Sequence, residues 1–150
     1  LANTLSGMIS EMLVRHISDS SETLIKNDKI GGRPDLLPVG MYEEPLAYDC
    51  KHGIEIKASR NSGNWQGHNP EDGWLMIFRY DISKQASLRF TEILCAYLQK
   101  TDWNFAGRNV DSRRTPTASI NKLGLEKLRT NHIYRLPGFG VGKYKAQELI

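Results

Sequence analysis

At 150 residues, with 39% hydrophobic and 25% charged side chains, the chain is long enough for a single domain over 1–150 and too apolar for a disordered one. No apolar run approaches the roughly 18 residues of a membrane span, and nothing resembles a signal peptide. Two cysteines, Cys50 and Cys95, are too few for a disulfide framework and suit a reducing cytoplasm. A net charge of +3 permits nucleic-acid binding without requiring it.

The chain opens on Leu1 rather than Met, as expected of a fragment or a processed product. Leu5, Met8, Ile9, Met12, Leu13 and Ile17 fall at the 3–4 spacing of one apolar helix face, with Asn3 or Thr4 as cap. Ser18-Asp19-Ser20-Ser21 is expected to break this helix, and Ser21-Glu22 to open a short second turn. Glu11 lies beside Met8 and Met12 and pairs with Arg15 at i, i+4. Next, Gly31 and Gly32 let the backbone turn sharply into Arg33-Pro34-Asp35, and Leu36-Leu37 anchors Asp35 to a strand. Glu43, Glu44 and Asp49 stand in the following loop and compete with Asp35 as acidic ligands. The turn Cys50-Lys51-His52-Gly53 is expected to point Asp49 away. Cys50, His52 and His68 match no structural zinc spacing.

His52-Gly-Ile-Glu-Ile-Lys-Ala-Ser59 reads as a strand. Alternation puts Glu55 and Lys57 on one face and Ile54 and Ile56 on the other. Carboxylates with a lysine beside them suit a site for a divalent cation or a phosphate, and oxygen ligands of this kind suit Mg²⁺. Pro34-Asp35, a spacer, then Glu55-Ile56-Lys57 resembles the PD-(D/E)XK nuclease superfamily, the restriction-endonuclease-like fold, over about the first half of the chain. The resemblance implies an α/β domain whose central mixed β-sheet is flanked by helices. The strands carrying Asp35, Glu55–Lys57 and Trp74–Tyr80 are expected side by side in that sheet. It also implies a metal-dependent endonuclease acting on double-stranded DNA without identifying a subfamily; a type II restriction enzyme is expected, working as a homodimer because symmetric targets match two-fold dimers. Asp35 and Glu55 would be the metal ligands, with the backbone carbonyl of Ile56 as a third, and Lys57 the catalytic lysine. Mg²⁺ would be the cofactor, with Mn²⁺ able to substitute. A helical glutamate sometimes joins such sites, which makes Glu11 a further candidate. A repair or junction-resolving nuclease shares this chemistry, and a non-catalytic nucleic-acid-binding domain on the same fold is the alternative from another class.

Downstream, Arg60 to Asp72 is polar and glycine-bearing and directly follows the proposed catalytic strand. Asn64, Gln66 and His68 can read base edges or bind phosphate, and Arg60 suits a bidentate phosphate or guanine contact. Trp65 either stacks on a base or pins the loop. Trp74 to Tyr80 reads as a strand buried on both faces. Phe90 to Leu98 fits a helix or a central strand. Arg108, Arg113 and Arg114, interleaved with Ser112, Thr115 and Thr117, form either a phosphate cradle or a solvated loop. Asn121 to Arg129 reads as a short helix with Leu123, Leu125 and Leu128 inward and Lys122, Lys127 and Arg129 outward, weakened by Gly124. The glycines from Gly138 to Gly142 lack the spacing of a P-loop, since Pro137 and Tyr144 stand where Gly and Ser or Thr belong. Leu136 to Gly140 also resembles the hairpin of helix-hairpin-helix modules, but Tyr144 stands where alanine is normal. A flexible basic tail is expected there.

Overall fold

The computed structural model describes residues 2–67, 69–106 and 117–139. It is an α/β arrangement of one mixed six-stranded sheet, a smaller three-stranded sheet and two α-helices. Helix α1 (Ala2–Ser20) leads into β1 (Leu24–Lys26) and β2 (Leu36–Pro38). Then come β3 (Ile54–Ser59), β4 (Gln66–Gly67), β5 (Gly73–Ile82) and β6 (Leu88–Leu98). A 3-10 turn (Lys100–Asp102) precedes β7 (Trp103–Ala106), β8 (Thr117–Ile120), α2 (Lys122–Thr130) and β9 (His132–Arg135). The large sheet has the order β1-β2-β3-β5-β6-β9, with β3 and β5 parallel and the other neighbours antiparallel. The strands of Asp35's run, Glu55–Lys57 and Trp74–Tyr80 are therefore adjacent, as expected. No helix among the described residues is long and apolar enough to cross a membrane.

Helix α1 covers one sheet face. Val14 packs with Leu36, Ile56 and Phe78, and Ile9 packs with Ala58 and Tyr80. The buried stripe is narrower than the periodicity suggests: Met8 and Met12 are 60% and 67% exposed, while Val14, not on the expected face, is buried. A helix lying over a flat sheet seats only the stripe centred on Leu5, Ile9 and Leu13 and leaves positions one turn aside in water. The helix begins ahead of Asn3 and Thr4 and runs through Ser18. Ser18 Oγ accepts the Lys26 N–H at 2.9 Å, tying the helix end to β1. Ser21 Oγ accepts from Thr23 and Leu24 and shapes a turn rather than a second helix.

The opposite face packs against the small sheet, of order β4-β8-β7, and against α2. Trp65, Leu75, Ile77, Leu94, Leu98, Ile120 and Leu128 form that core. Residues 90–98 are strand, because β6 pairs with β5 along its length. In β5, Leu75, Ile77 and Phe78 are buried, but Trp74 is exposed beyond the reach of α1, edge-on to Tyr97 at 5.8 Å. Arg79 is buried in the same strand and its Nη1 donates to Glu92 at 2.8 Å, while Arg135 bonds the other oxygen of that carboxylate.

In α2, Asn121 caps the N-terminus by accepting from the N–H groups of Leu123 and Gly124. Leu128 points inward as expected, but Leu123 is 61% exposed and Gly124 takes the inward place. A Cβ at Gly124 would lie 2.7 Å from the Asp102 carbonyl oxygen and 2.8 Å from Ile120 Cγ2. That carbonyl is held by the Asn121 N–H at 2.9 Å, and the Asp102 side chain by Lys127 Nζ at 2.7 Å. The glycine is thus the contact residue of the helix. Gly124→Ala is expected to destabilise by about 1–3 kcal/mol from crowding, which outweighs the roughly 1 kcal/mol that alanine adds to helix propensity. Urea denaturation giving equal or greater stability for the variant would remove this account.

Candidate active site

Strand β3 turns its even positions to α1, where Ile54, Ile56 and Ala58 join the two clusters under the helix. Glu55, Lys57 and Ser59 take the other face by alternation. Strand β2 pairs with β3 only through Leu36 and Ile54. Beyond that pair no strand among the described residues lies beside the outer edge of β3, and side chains take up its N–H groups. Asp35 Oδ2 accepts the Ile56 N–H at 2.8 Å, and Ser10 Oγ of α1 accepts the Ala58 N–H at 2.8 Å. Asp35 is therefore docked on the strand carrying Glu55 and Lys57. A strand residue's N–H and C=O leave on the same side, so the Ile56 carbonyl also faces the Asp35 edge. Glu43, Glu44 and Asp49, the competing acids, are exposed on the preceding loop; only Asp49 of these lines the cleft described below.

The three groups act on one another electrostatically. Burial raises the Glu55 carboxyl to about 7, helped by the neighbouring Asp35 charge and opposed by Lys57, Arg33 and the Asp35 backbone amide. Asp35 is also raised, first by burial, against the pull of the Ile56 N–H. Lys57 is lowered by burial, against the attraction of both carboxylates. Its Nζ donates to the Gln66 carbonyl at 2.5 Å, which ties β3 to β4. Glu11 is exposed on α1 and its Oε1 accepts from Lys26 Nζ at 2.8 Å and Arg15 Nε at 3.1 Å, which hold it below its ordinary value. The expected i, i+4 pair is present, and the Glu11 charge still reaches Asp35 and raises it.

Glu55 and Lys57 open into a cleft of about 560 Å³. Ser6 and Ser10 of α1, Arg33 and Pro34 of the Asp35 turn, the 59–67 segment, and Glu71 and Asp72 line it. Of the expected DNA-contacting residues, Arg60, Asn64 and Gln66 lie on this wall with exposed side chains. Arg60 Nη2 shares a 3.2 Å bond with Asp81, and Asn64 adopts φ +55. Trp65 is 3% exposed and belongs to the core, so it pins the loop. His68, Arg108, Arg113, Arg114 and the tail from 140 lie outside the described residues. Two further arginines hold the same wall: Arg79, which pattern reading passed over, and Arg129, which it placed on the outward face of α2. Arg79 Nε donates to the Asn61 carbonyl at 2.9 Å, and Arg129 Nη2 to the Ser62 carbonyl at 3.2 Å. Arg79 was hidden inside an apolar run, and only its register opposite Glu92 explains its burial.

The donor set fits a small hard cation. Neither Asp35 nor Glu55 is in an ion pair among the described residues, and both hold their protons above the ordinary carboxylate range. The nearby ammonium is engaged with a carbonyl. Among the described residues no group of three or more His, Cys, Asp and Glu gathers for a metal. Two carboxylates and a backbone carbonyl leave positions for water, which suits Mg²⁺. Comparison with protein-family models, with curated proteins and with solved structures finds no match to this chain.

Proposed function

We propose that this cleft hydrolyses phosphodiester bonds of double-stranded DNA with Mg²⁺ or Mn²⁺, as a nuclease of the PD-(D/E)XK, restriction-endonuclease-like kind. The observation that carries the reading is that Asp35 is docked on the Ile56 N–H, between Glu55 and Lys57, two residues that line one open cleft. In this role the chain acts as a homodimeric type II restriction endonuclease, since two-fold targets match two-fold proteins.

Asp35 and Glu55 would hold the cation, with the Ile56 carbonyl beside them. The bound cation supplies positive charge at the scissile phosphate and acidifies water. Asp35, fixed by the Ile56 N–H, presents its remaining oxygen without having to reorganise. Lys57 swings its ammonium from the Gln66 carbonyl toward the phosphate and stabilises the charge that builds there. Water gives up a proton to solvent as its oxygen bonds to phosphorus, the ester P–O bond breaks, and the departing alkoxide takes a proton from solvent. The wall with Arg60, Asn64 and Gln66 lies where the duplex would pass.

Calorimetric titration of Mg²⁺ or Mn²⁺ into the parent and into Asp35→Ala tests the site. Loss of a ligand is expected to weaken binding by roughly a hundredfold, at least the penalty for losing a ligand's supporting partner. Equal affinity in the two proteins would remove Asp35 from the site.

A further inference from the structure

The cleft holds an ion pair that this chemistry leaves unused. Arg33 Nη1 pairs with Glu71 Oε1. Arg33 stands two residues before Asp35, and Glu71 two residues before β5. Both side chains line the cleft and keep 30% and 34% of their surface in solvent. Each backbone is anchored separately. The Arg33 N–H donates to the Tyr48 carbonyl at 3.1 Å, and the Arg33 carbonyl accepts the Cys50 N–H at 3.0 Å. The Glu71 carbonyl accepts the Trp103 indole N–H at 3.0 Å, and the Asp72 carboxylate accepts the Lys100 N–H at 2.8 Å.

The sheet register shows what the pair spans. Ile54, the first residue of β3, has Leu36 on one side and Trp74 on the other. The chain before Leu36 supplies Arg33 and the chain before Trp74 supplies Glu71. The bridge thus joins two fixed walls across the start of the strand that carries Glu55. Arg33's charge is felt there, since it draws the Glu55 carboxyl down.

An ion pair this exposed is worth only about 0–1 kcal/mol. A guanidinium has a planar fork that matches phosphate in two parallel hydrogen bonds, each stronger than a neutral one. Exchanging one carboxylate for a phosphate therefore gives up little and regains more. We propose that Arg33 is a phosphate-binding residue of the cleft, and that Glu71 occupies its guanidinium as an internal stand-in until a DNA phosphodiester displaces it. The proposal rests on the nuclease reading for its substrate. Glu71 then acts as a strap that lowers the affinity of the empty cleft for polyanions, and Arg33 as a phosphate holder beside Glu55.

The test is anisotropy binding of a labelled duplex to the full chain in EDTA, at several salt concentrations, with thermal melting to confirm folding. Glu71→Gln is expected to bind about threefold tighter, the fold-change equivalent of a weak exposed pair. Arg33→Ala is expected to bind roughly tenfold more weakly and to reduce the salt slope by about one phosphate contact. In the double variant Glu71→Gln should have no effect, which separates release of Arg33 from simple loss of a negative charge. Should Arg33→Ala fail to fold, Arg33→Gln takes its place in both the single and the double variant. Unchanged or weaker binding by Glu71→Gln, or a gain that persists without Arg33, would overturn the proposal and leave the pair a structural strut. A parent protein that binds no duplex overturns it too. Failure of the nuclease reading shows separately, as the parent and Lys57→Ala cleaving alike in Mg²⁺ while these binding differences stand.

Discussion

Lys57→Ala is expected to bind duplex DNA nearly as well as the parent and to cleave it about a hundredfold more slowly, or worse. Ground-state binding is spread over many phosphate contacts, so removing one ammonium changes affinity little. The rate responds differently, because charge grows on the phosphate only in the transition state and a donor beside it acts there alone. Lys57 is placed for this: burial lowers its ammonium, both carboxylates attract it, and its hydrogen bond to the Gln66 carbonyl is one it can leave. The same bond ties β3 to β4, so melting of the variant belongs with the assay. Single-turnover cleavage at saturating protein, beside a binding titration, is the measurement. Cleavage at the parent rate would leave a DNA-binding domain in place of a nuclease.

The metal-free protein should lose stability as pH rises from about 4.5 to about 7, and Glu55→Gln should lose less. Glu55 keeps its proton up to about 7 in the folded protein against an ordinary value of 4.5. Between those values the folded state binds more protons than the unfolded one, so the slope of unfolding free energy with pH is negative. The contribution is fully present below the unfolded value and lost once pH passes the folded one. Its size is about 3 kcal/mol at most, from the free energy of one pKa unit. Asp35, also raised by burial, adds with the same sign. Glutamine keeps the shape and never ionises, so the variant should be the more stable of the two at pH 8 in EDTA and should cleave nothing. Denaturation curves at several pH values decide this. Parallel pH dependence in parent and variant would mean that Glu55 ionises freely in the folded chain. Adding Mg²⁺ should restore the parent at high pH and leave Glu55→Gln unmoved, because binding to the folded state alone stabilises it.

Much of the site was legible along the chain because its logic is local. Alternation alone puts Glu55 and Lys57 on one face of β3, and the Pro34-Asp35 turn before Leu36 places a carboxylate at a strand end. The apolar run from Trp74 marks the next strand. These readings depend on neighbours within a few residues, where backbone geometry leaves few choices. Phe90 to Leu98 could not be settled that way, since its apolar positions satisfy both periods; pairing with β5 decided for strand. The width of the α1 stripe and the inward place of Gly124 depended on which surfaces the helices meet.

The remaining features come from contacts between distant residues, which no local pattern encodes. Ser10 supplies the acceptor for Ala58 only because α1 lies along the edge of β3 beyond Ile54, which β2 leaves unpaired. Lys57 finds the Gln66 carbonyl because β4 folds over β3, and Arg33 finds Glu71 because two loops meet across Ile54. Arg79 and Glu92 share a buried bond through register alone. By itself the sequence determined the face and order of the chemical groups, which follow from period and turn. Tertiary structure alone decided their partners and protonation, because burial and the charges that oppose it exist only once the sheet has assembled.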